Sequence, residues 1–587
     1  MSIFTKLRVT LHTIRWARNR EKHDNHYPSP VPDNPKFMTA WEAAGLIDDG
    51  AVLATSGIGG NQRCSLMYWA IRDRFQAEGH PKDLTLVCIS GQGGRGKLPG
   101  TVEELGLEGL TTRLITGHVE TKKSHLKLAD AGKLELQCMP QGVVSRLLKA
   151  QGEGKDHLIT QNGTGTFVDP RTGRGTPVAP LNAKQWVQVT EDGQLKYSLP
   201  PVDTAVINAP AADRKGNIYV KNCAVLCETS EAVRAARRNG GKAIINVGRI
   251  VDEGYSKIYI PAAEVDAVVY WPETEQTATI PHRKYWDCFT VNSRTTEAEG
   301  LQRVATINGM LGITPKRKLI DTVLARLATY IFVNHANKGD HVDIGVGLPE
   351  EVSRLLYESS VMSELNMINE SGVMGRVATP GIFFGAAVNP TEIVSSAEAF
   401  ERIANRLDWA ILGALETDGA GNVNVSKRGE GATNYVGPGG FIDLVTAAKS
   451  IIFCSSWGDR AEYEVADGKV KLVKPGKPKF VEQVEEITFS GEEALKNGIR
   501  VFYVTHVGAF QLTERGMELI YVLPGVDVQR DIIEHCPMKI VMPESGAPEI
   551  APDSVVTGEF RMSLDERPVQ PTERAEEPAS ERSESVK

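Results

Sequence analysis

One carboxylate, Glu370, stands where a reacting group would be placed. It follows a short apolar run carrying Leu365, Met367 and Ile368, and it precedes Ser371 and Gly372. A strand end followed by glycine lets the backbone turn sharply and present one side chain to a cleft. A carboxylate there can serve as a nucleophile, as a general acid or base, or as a hydrated turn residue. Two glycine-rich segments could assist it. Gly345, Val346, Gly347, Leu348 and Pro349 follow a strand-like run and open a helix. Free backbone N–H groups there can face an anion or polar ligand, or simply make a turn. Pro349 suits the first helical position, and Glu350 and Glu351 suit the positive helix end. Gly437, Gly439 and Gly440 lead into Phe441, Ile442 and Asp443. Such a loop can bring an N–H close to a developing oxyanion, or can be merely flexible.

A third glycine run, from Gly91 to Lys97, nearly spells a phosphate-binding loop. Leu98 and Pro99 follow where a Ser or Thr and a continuing helix are needed. Its Gly91, Gly93 and Gly96 match a dinucleotide fingerprint in pattern only, without the helix that should receive pyrophosphate. It reads as a tight loop beside the cleft.

The elements that must position these residues come in two copies. Strand-like and helical stretches alternate, which argues α/β layers. Residues 51–59 match 341–347, each a strand running into Gly-x-Gly. Residues 84–91 match 365–372, placing Ile89 opposite Glu370. Residues 205–218 match 410–423, each ending in an Asp-x-x-Gly-Asn turn. Residues 242–247 match 449–454 more weakly. The order is the same in both halves. The reading is two tandem homologous open-sheet α/β domains, 39–292 and 319–558, joined by a connector at 293–318. The first carries an insertion near 96–200. An acidic copy beside an apolar copy assigns the chemistry to the second half.

The chain of 587 residues exceeds what one core usually supports. Its 41% hydrophobic and 24% charged content is ordinary for a globular protein. A net charge of −8 argues against a nucleic-acid partner. No apolar run reaches bilayer-spanning length, so no membrane partner is expected. The 8 scattered cysteines read as buried free thiols, with no metal site. Residues 1–38 form a basic extension, with Lys6, Arg8, Arg15, Arg18, Arg20 and Lys22 and no acid before Glu21. That start resembles a mitochondrial presequence or a basic surface arm. The expected location is cytoplasmic, with the mitochondrial matrix as the alternative. Residues 559–587, rich in Glu, Arg, Ser and Pro, are expected to be a disordered tail.

Together the motifs resemble family I CoA-transferases, specifically the single-chain short-chain acyl-CoA:acetate or propionate enzymes. The resemblance rests on Glu370-Ser-Gly, on the residues 345–349, and on residues 437–443. Residues 163–171, 139–143, 513–520 and 524–528 add to it, so that it spans about 39–545. Ala404 to Asp408 and Val119 to Thr121 depart from the family pattern, in places that bear on the acyl substrate. The resemblance implies that Glu370 attacks an acyl-CoA thioester and becomes a glutamyl-CoA thioester. It implies that Gly439 or Gly440 donates to the oxyanion, and that Gly345, Val346, Gly347, Leu348 and Pro349 contact CoA. CoA would be a substrate, with small carboxylic acids as the other partner, no permanently bound cofactor, and a homo-oligomeric assembly. Glu370 is expected to be ionised at neutral pH unless its site is strongly desolvated. Two other readings stand beside this one: an acyl-CoA hydrolase using the same intermediate, and a non-catalytic ligand sensor on the same fold.

Overall fold

Strands buried on both faces read as near-continuous apolar runs, and one of the two longest here, Thr204–Asp213, is buried along its whole length. The computed structural model describes residues 2–19, 21–93, 98–274, 287–313 and 317–565. Its first sheet contains β1 (Phe37–Met38), β2 (Val52–Thr55), β3 (Leu84–Cys88), β4 (Thr111–Thr116), β5 (Glu135–Cys138), β6 (Pro177–Ala179), β7 (Thr204–Asp213), β8 (Ile218–Tyr219), β9 (Lys242–Val251) and β10 (Ala267–Tyr270). Their spatial order is β1-β10-β9-β7-β2-β3-β4-β5-β6, with β8 beside β7. The second sheet contains β11 (His341–Ile344), β12 (Asn366–Met367), β13 (Trp409–Gly413), β14 (Ser450–Cys454), β15 (Arg500–Val504), β16 (Gly508–Thr513), β17 (Gly516–Val522), β18 (Ile540–Val541) and β19 (Glu549–Ile550). They run β12-β11-β13-β14-β15-β16-β17-β18, with β19 beside β17.

The sequence duplication is a topological one. The parallel order β3-β2-β7-β9-β10 in the first sheet repeats as β12-β11-β13-β14-β15 in the second. The matched Asp turns agree in their hydrogen bonds. Asp213 Oδ1 accepts from the N–H of Lys215 at 2.9 Å and of Asn217 at 3.0 Å. Asp418 Oδ1 accepts from Ala420 at 3.0 Å and Asn422 at 3.1 Å. The insertion after β3 supplies β4, β5 and β6, which widen the first sheet on one side.

The helices that matter for the site and the termini are α1 (Ile3–Asn19), α2 (Gln141–Gly152), α3 (Glu297–Met310), α4 (Leu319–His335), α5 (Pro349–Glu358), α6 (Ser396–Arg406) and α7 (Phe441–Ala447). Val143, Val144 and Leu147 of α2 share one buried cluster with Phe400 and Ile403 of α6 and Ile442 of α7. The two halves therefore share a common apolar core. The connector contains α3, whose Thr296 hydroxyl caps the Glu299 N–H. Leu324, Leu327, Ile331 and Phe332 of α4 pack in a cluster with Val342, Ile411 and Ile452 of the second sheet.

The ends differ from the sequence-based expectation. Phe560 and Leu564 are buried in the α4 cluster, and the Arg326 guanidinium lies over the Phe560 ring at 5.4 Å. Two apolar side chains four residues apart suffice to dock a segment whose composition is otherwise polar. The rest of the expected tail, 566–587, lies outside the described residues, as do 94–97 of the third glycine run. In the basic extension, Val9 is buried against Cys288, Phe289, Val304 and Ile307. His23 stacks on Trp69 with ring centroids 4.3 Å apart. All eight cysteines are unpaired, and seven of them are buried.

Candidate active site

Adjacent parallel strands end on the same edge of a sheet, and the loops that follow them form a crevice there. β11 and β12 are such neighbours, with Val342 opposite Met367. The Ile368 N–H donates to the Val342 carbonyl at 3.0 Å, and the chain then leaves the sheet. Gly372 has φ +92°, and a Cβ there would lie 2.0 Å from the Val394 carbonyl oxygen. The Ser371 hydroxyl donates to the Gly385 carbonyl at 2.6 Å. Glu370 is thus held on both sides by a turn only glycine can make, and is itself half-buried. Its matched position, Ile89, is fully buried in the first core.

The loop opposite Glu370 is the one carrying Gly437, Gly439 and Gly440. A Cβ on Gly440 would lie 2.4 Å from Glu370 Oε2. This loop is fastened to the first domain. The Gly439 N–H donates to the Gly117 carbonyl at 2.8 Å, and the Gln141 N–H donates to the Gly439 carbonyl at 2.9 Å. The Val119 N–H donates to the Val436 carbonyl at 2.9 Å. Asp443, in the first turn of α7, accepts from the Gly142 N–H at 2.8 Å and from Asn162 Nδ2 at 2.6 Å, with Arg146 at 3.7 Å. The two expected oxyanion donors therefore part company. The Gly439 N–H is committed to Gly117, whereas the Gly440 N–H has no acceptor among the described residues.

Three acids sit close together here. Burial pushes Glu370 up to about 7, and the Asp443 carboxylate adds to the effect. Burial likewise raises Asp443 to about 6, opposed by Arg146 and the two hydrogen bonds. Asp343 on β11 is 5% exposed and is raised well above the usual carboxylate range by burial and then by Glu370. Its carboxyl makes no hydrogen bond among the described residues. At neutral pH Glu370 is therefore divided between its ionised and protonated forms, the case the sequence reading tied to a desolvated site.

The expected ligand cradle lies on the neighbouring loop. The Gly345 N–H continues the sheet, donating to the Ile411 carbonyl at 2.9 Å. Val346, Gly347 and Leu348 then turn into α5, and their N–H groups have no acceptor among the described residues. Gly347 has φ +90° with open space where a Cβ would be. Pro349 is buried in the first turn of α5, and the Val346 side chain is exposed. Arg317 lies 3.3 Å from Glu350, which offsets the acids beside the cradle.

The chain that builds this site is similar to known proteins over most of its length. A family model described as Coenzyme A transferase matches residues 37–270. Caffeate CoA-transferase of Acetobacterium woodii is 32% identical over 509 residues, covering 85% of this chain and 93% of that one. The chain is a single-chain family I CoA-transferase. Acetate CoA-transferase YdiF of Escherichia coli K12 is 29% identical to this CoA-transferase over 518 residues, covering 86% and 93% of the two chains. The crystal structure of apo acyl-CoA transferase YdiF from Escherichia coli O157:H7 superposes with a TM-score of 0.79 at 26% identity, covering 91% of this chain and 98% of that one. The same E. coli enzyme in a thioester complex with CoA gives a TM-score of 0.77.

Three site residues of this CoA-transferase were not singled out from sequence. Asp443 and Asp343 lie inside the motifs, but nothing in their spacing reveals that the fold points them toward Glu370. Gln141 is 2% exposed, its Nε2 has no partner, and its Oε1 would lie 3.8 Å from a Cβ on Gly439. A buried amide N–H with no protein partner among the described residues is left to pair with water or with a bound ligand.

Proposed function

We propose that this CoA-transferase moves CoA from a short-chain acyl-CoA to a carboxylic acid such as acetate, through a glutamyl-CoA thioester on Glu370. The observation that carries this reading is the Glu370 carboxylate lying against Gly440, with the Gly440 N–H open. The deprotonated Glu370 attacks the thioester carbonyl, and the C–S bond breaks to give an acyl-glutamyl anhydride and CoA thiolate. The thiolate attacks the glutamyl carbonyl, forming its C–S bond; the bond from that carbon to the bridging oxygen breaks, and the acyl group leaves as a carboxylate carrying that oxygen. An incoming carboxylate runs both steps in reverse and leaves as the new acyl-CoA. Each addition places negative charge on a carbonyl oxygen, which the Gly440 N–H stabilises. The N–H groups of Val346, Gly347 and Leu348 hold CoA.

The test is to incubate the enzyme with an acyl-CoA and no acceptor, then add borohydride. A mass change confined to the peptide containing Glu370, absent in Glu370→Gln, is expected. An unmodified peptide with full transfer activity in Glu370→Gln would remove the covalent mechanism. Offering a panel of carboxylic acids while following free CoA distinguishes transfer from hydrolysis, since only hydrolysis accumulates CoA without an acceptor. A cytoplasmic, homo-oligomeric enzyme belongs to the same proposal, and light scattering of the purified chain tests the oligomer.

A further inference from the structure

Helix α1 has two faces with different fates. Val9 and Thr13 are 3% and 5% exposed and dock it onto the body beside α3. On the opposite side Ile3, Phe4, Leu7, Leu11 and Ile14 are 83%, 80%, 55%, 57% and 42% exposed. At about 100° per residue these five fall within about 100° of arc, a continuous apolar stripe. Lys6 borders the stripe on one side, Arg8 and Arg15 on the other, and Arg18 ends it; residues 3–19 contain no acid. Arg15 also pairs with Glu273 at 3.1 Å. The chain as a whole carries −8, so this cationic face is a local exception.

We propose that α1 is a membrane-docking helix, which lays this stripe into the interfacial layer of an anionic lipid bilayer while the rest of the enzyme stays in water. Apolar side chains enter the acyl boundary, and the Lys6 and Arg18 stems reach the headgroup phosphates. Charge complementarity selects this occupant over a second copy of the chain. An isologous contact through the stripe would set two acid-free cationic helices face to face. The expectation of no membrane partner rested on the lack of a spanning segment, and a helix lying in the plane of the interface needs none.

The test is co-sedimentation of the full chain with vesicles of phosphatidylcholine alone and of phosphatidylcholine with phosphatidylglycerol. Binding to the anionic vesicles only, weakened by added salt, is expected. Lys6→Gln with Arg18→Gln should weaken it by about 30-fold, at about fivefold per cation. Leu7→Asp with Leu11→Asp should abolish it. Both variants change exposed side chains remote from Glu370, so soluble CoA transfer should be unchanged and reports that the fold is intact. Equal or no binding to the two vesicle types would overturn the proposal. So would a stripe variant that binds as before, or one that instead splits an oligomer seen by light scattering. Mass analysis showing that the chain from its own cells lacks α1 would also overturn it, by making the helix a processed leader.

Discussion

Glu370 and Gly440 approach so closely that a β-carbon on the glycine would sit 2.4 Å from the carboxylate oxygen. Gly440 has φ −82° and ψ −1°, a conformation open to any residue. Its lack of a side chain therefore answers to Glu370 and not to the backbone. Gly440→Ala should fold normally, with a melting temperature near that of the parent. Its kcat should fall on the order of 10²–10³, the usual cost of a displaced oxyanion donor. Melting curves and steady-state rates at saturating acyl-CoA check both halves of the expectation, and an unimpaired kcat would refute the donor role.

Because burial lifts Glu370 to about 7, the nucleophile gains its charge only as pH rises through neutrality. Transfer should therefore show an acid limb with a midpoint near pH 7 rather than near 4. Asp443 is the charged neighbour that adds to this shift. Asp443→Asn keeps an acceptor for Gly142 or Asn162 and removes the charge, so the limb should move to lower pH. Rates of adduct formation between pH 5 and 9 measure it, and an unmoved midpoint would separate Asp443 from Glu370.

The Asp343 carboxyl is buried with no hydrogen-bond partner among the described residues, and burial and Glu370 raise its folded-state pKa. A carboxyl raised on folding keeps its proton after the unfolded chain has lost it. Stability is then greatest below the unfolded value of about 3.9 and falls as pH climbs toward the folded value. Asp343→Asn has the same shape and no charge to lose. Its melting temperature should match the parent at pH 4 and exceed it by several degrees at pH 8. A constant offset across that range would contradict the assignment.

The duplication was legible in the sequence because a repeated fold repeats its turns. The Asp213 and Asp418 turns, each closed by the same two backbone bonds, mark equivalent points in two sheets. Glu370 was legible because a strand end, an acid and a glycine lie together in the chain. Gln141, Asp343 and Asp443 were not, because their meaning depends on loops brought together from both halves. The ionisation of Glu370 was left conditional for the same reason: a lone glutamate has its ordinary pKa, and only its packed neighbours decide whether the site is desolvated. The 559–565 segment was misread because composition averages away two well-spaced apolar side chains, Phe560 and Leu564.

The cradle offers a way to separate CoA binding from chemistry. Gly347 holds φ +90° and faces open space. An alanine there meets no neighbour, and its cost is the left-handed backbone, roughly 1–2 kcal/mol. The chain relieves that strain by rotating the peptide, which turns the N–H groups of Gly347 and Leu348 away from the ligand. In Gly347→Ala, KM for acyl-CoA should rise about tenfold while kcat at saturation changes little, since Glu370 and Gly440 lie on other loops. KM for the carboxylic acid acceptor should stay within about twofold. A fall in kcat with KM unchanged would instead place residues 345–349 among the groups that serve the transition state.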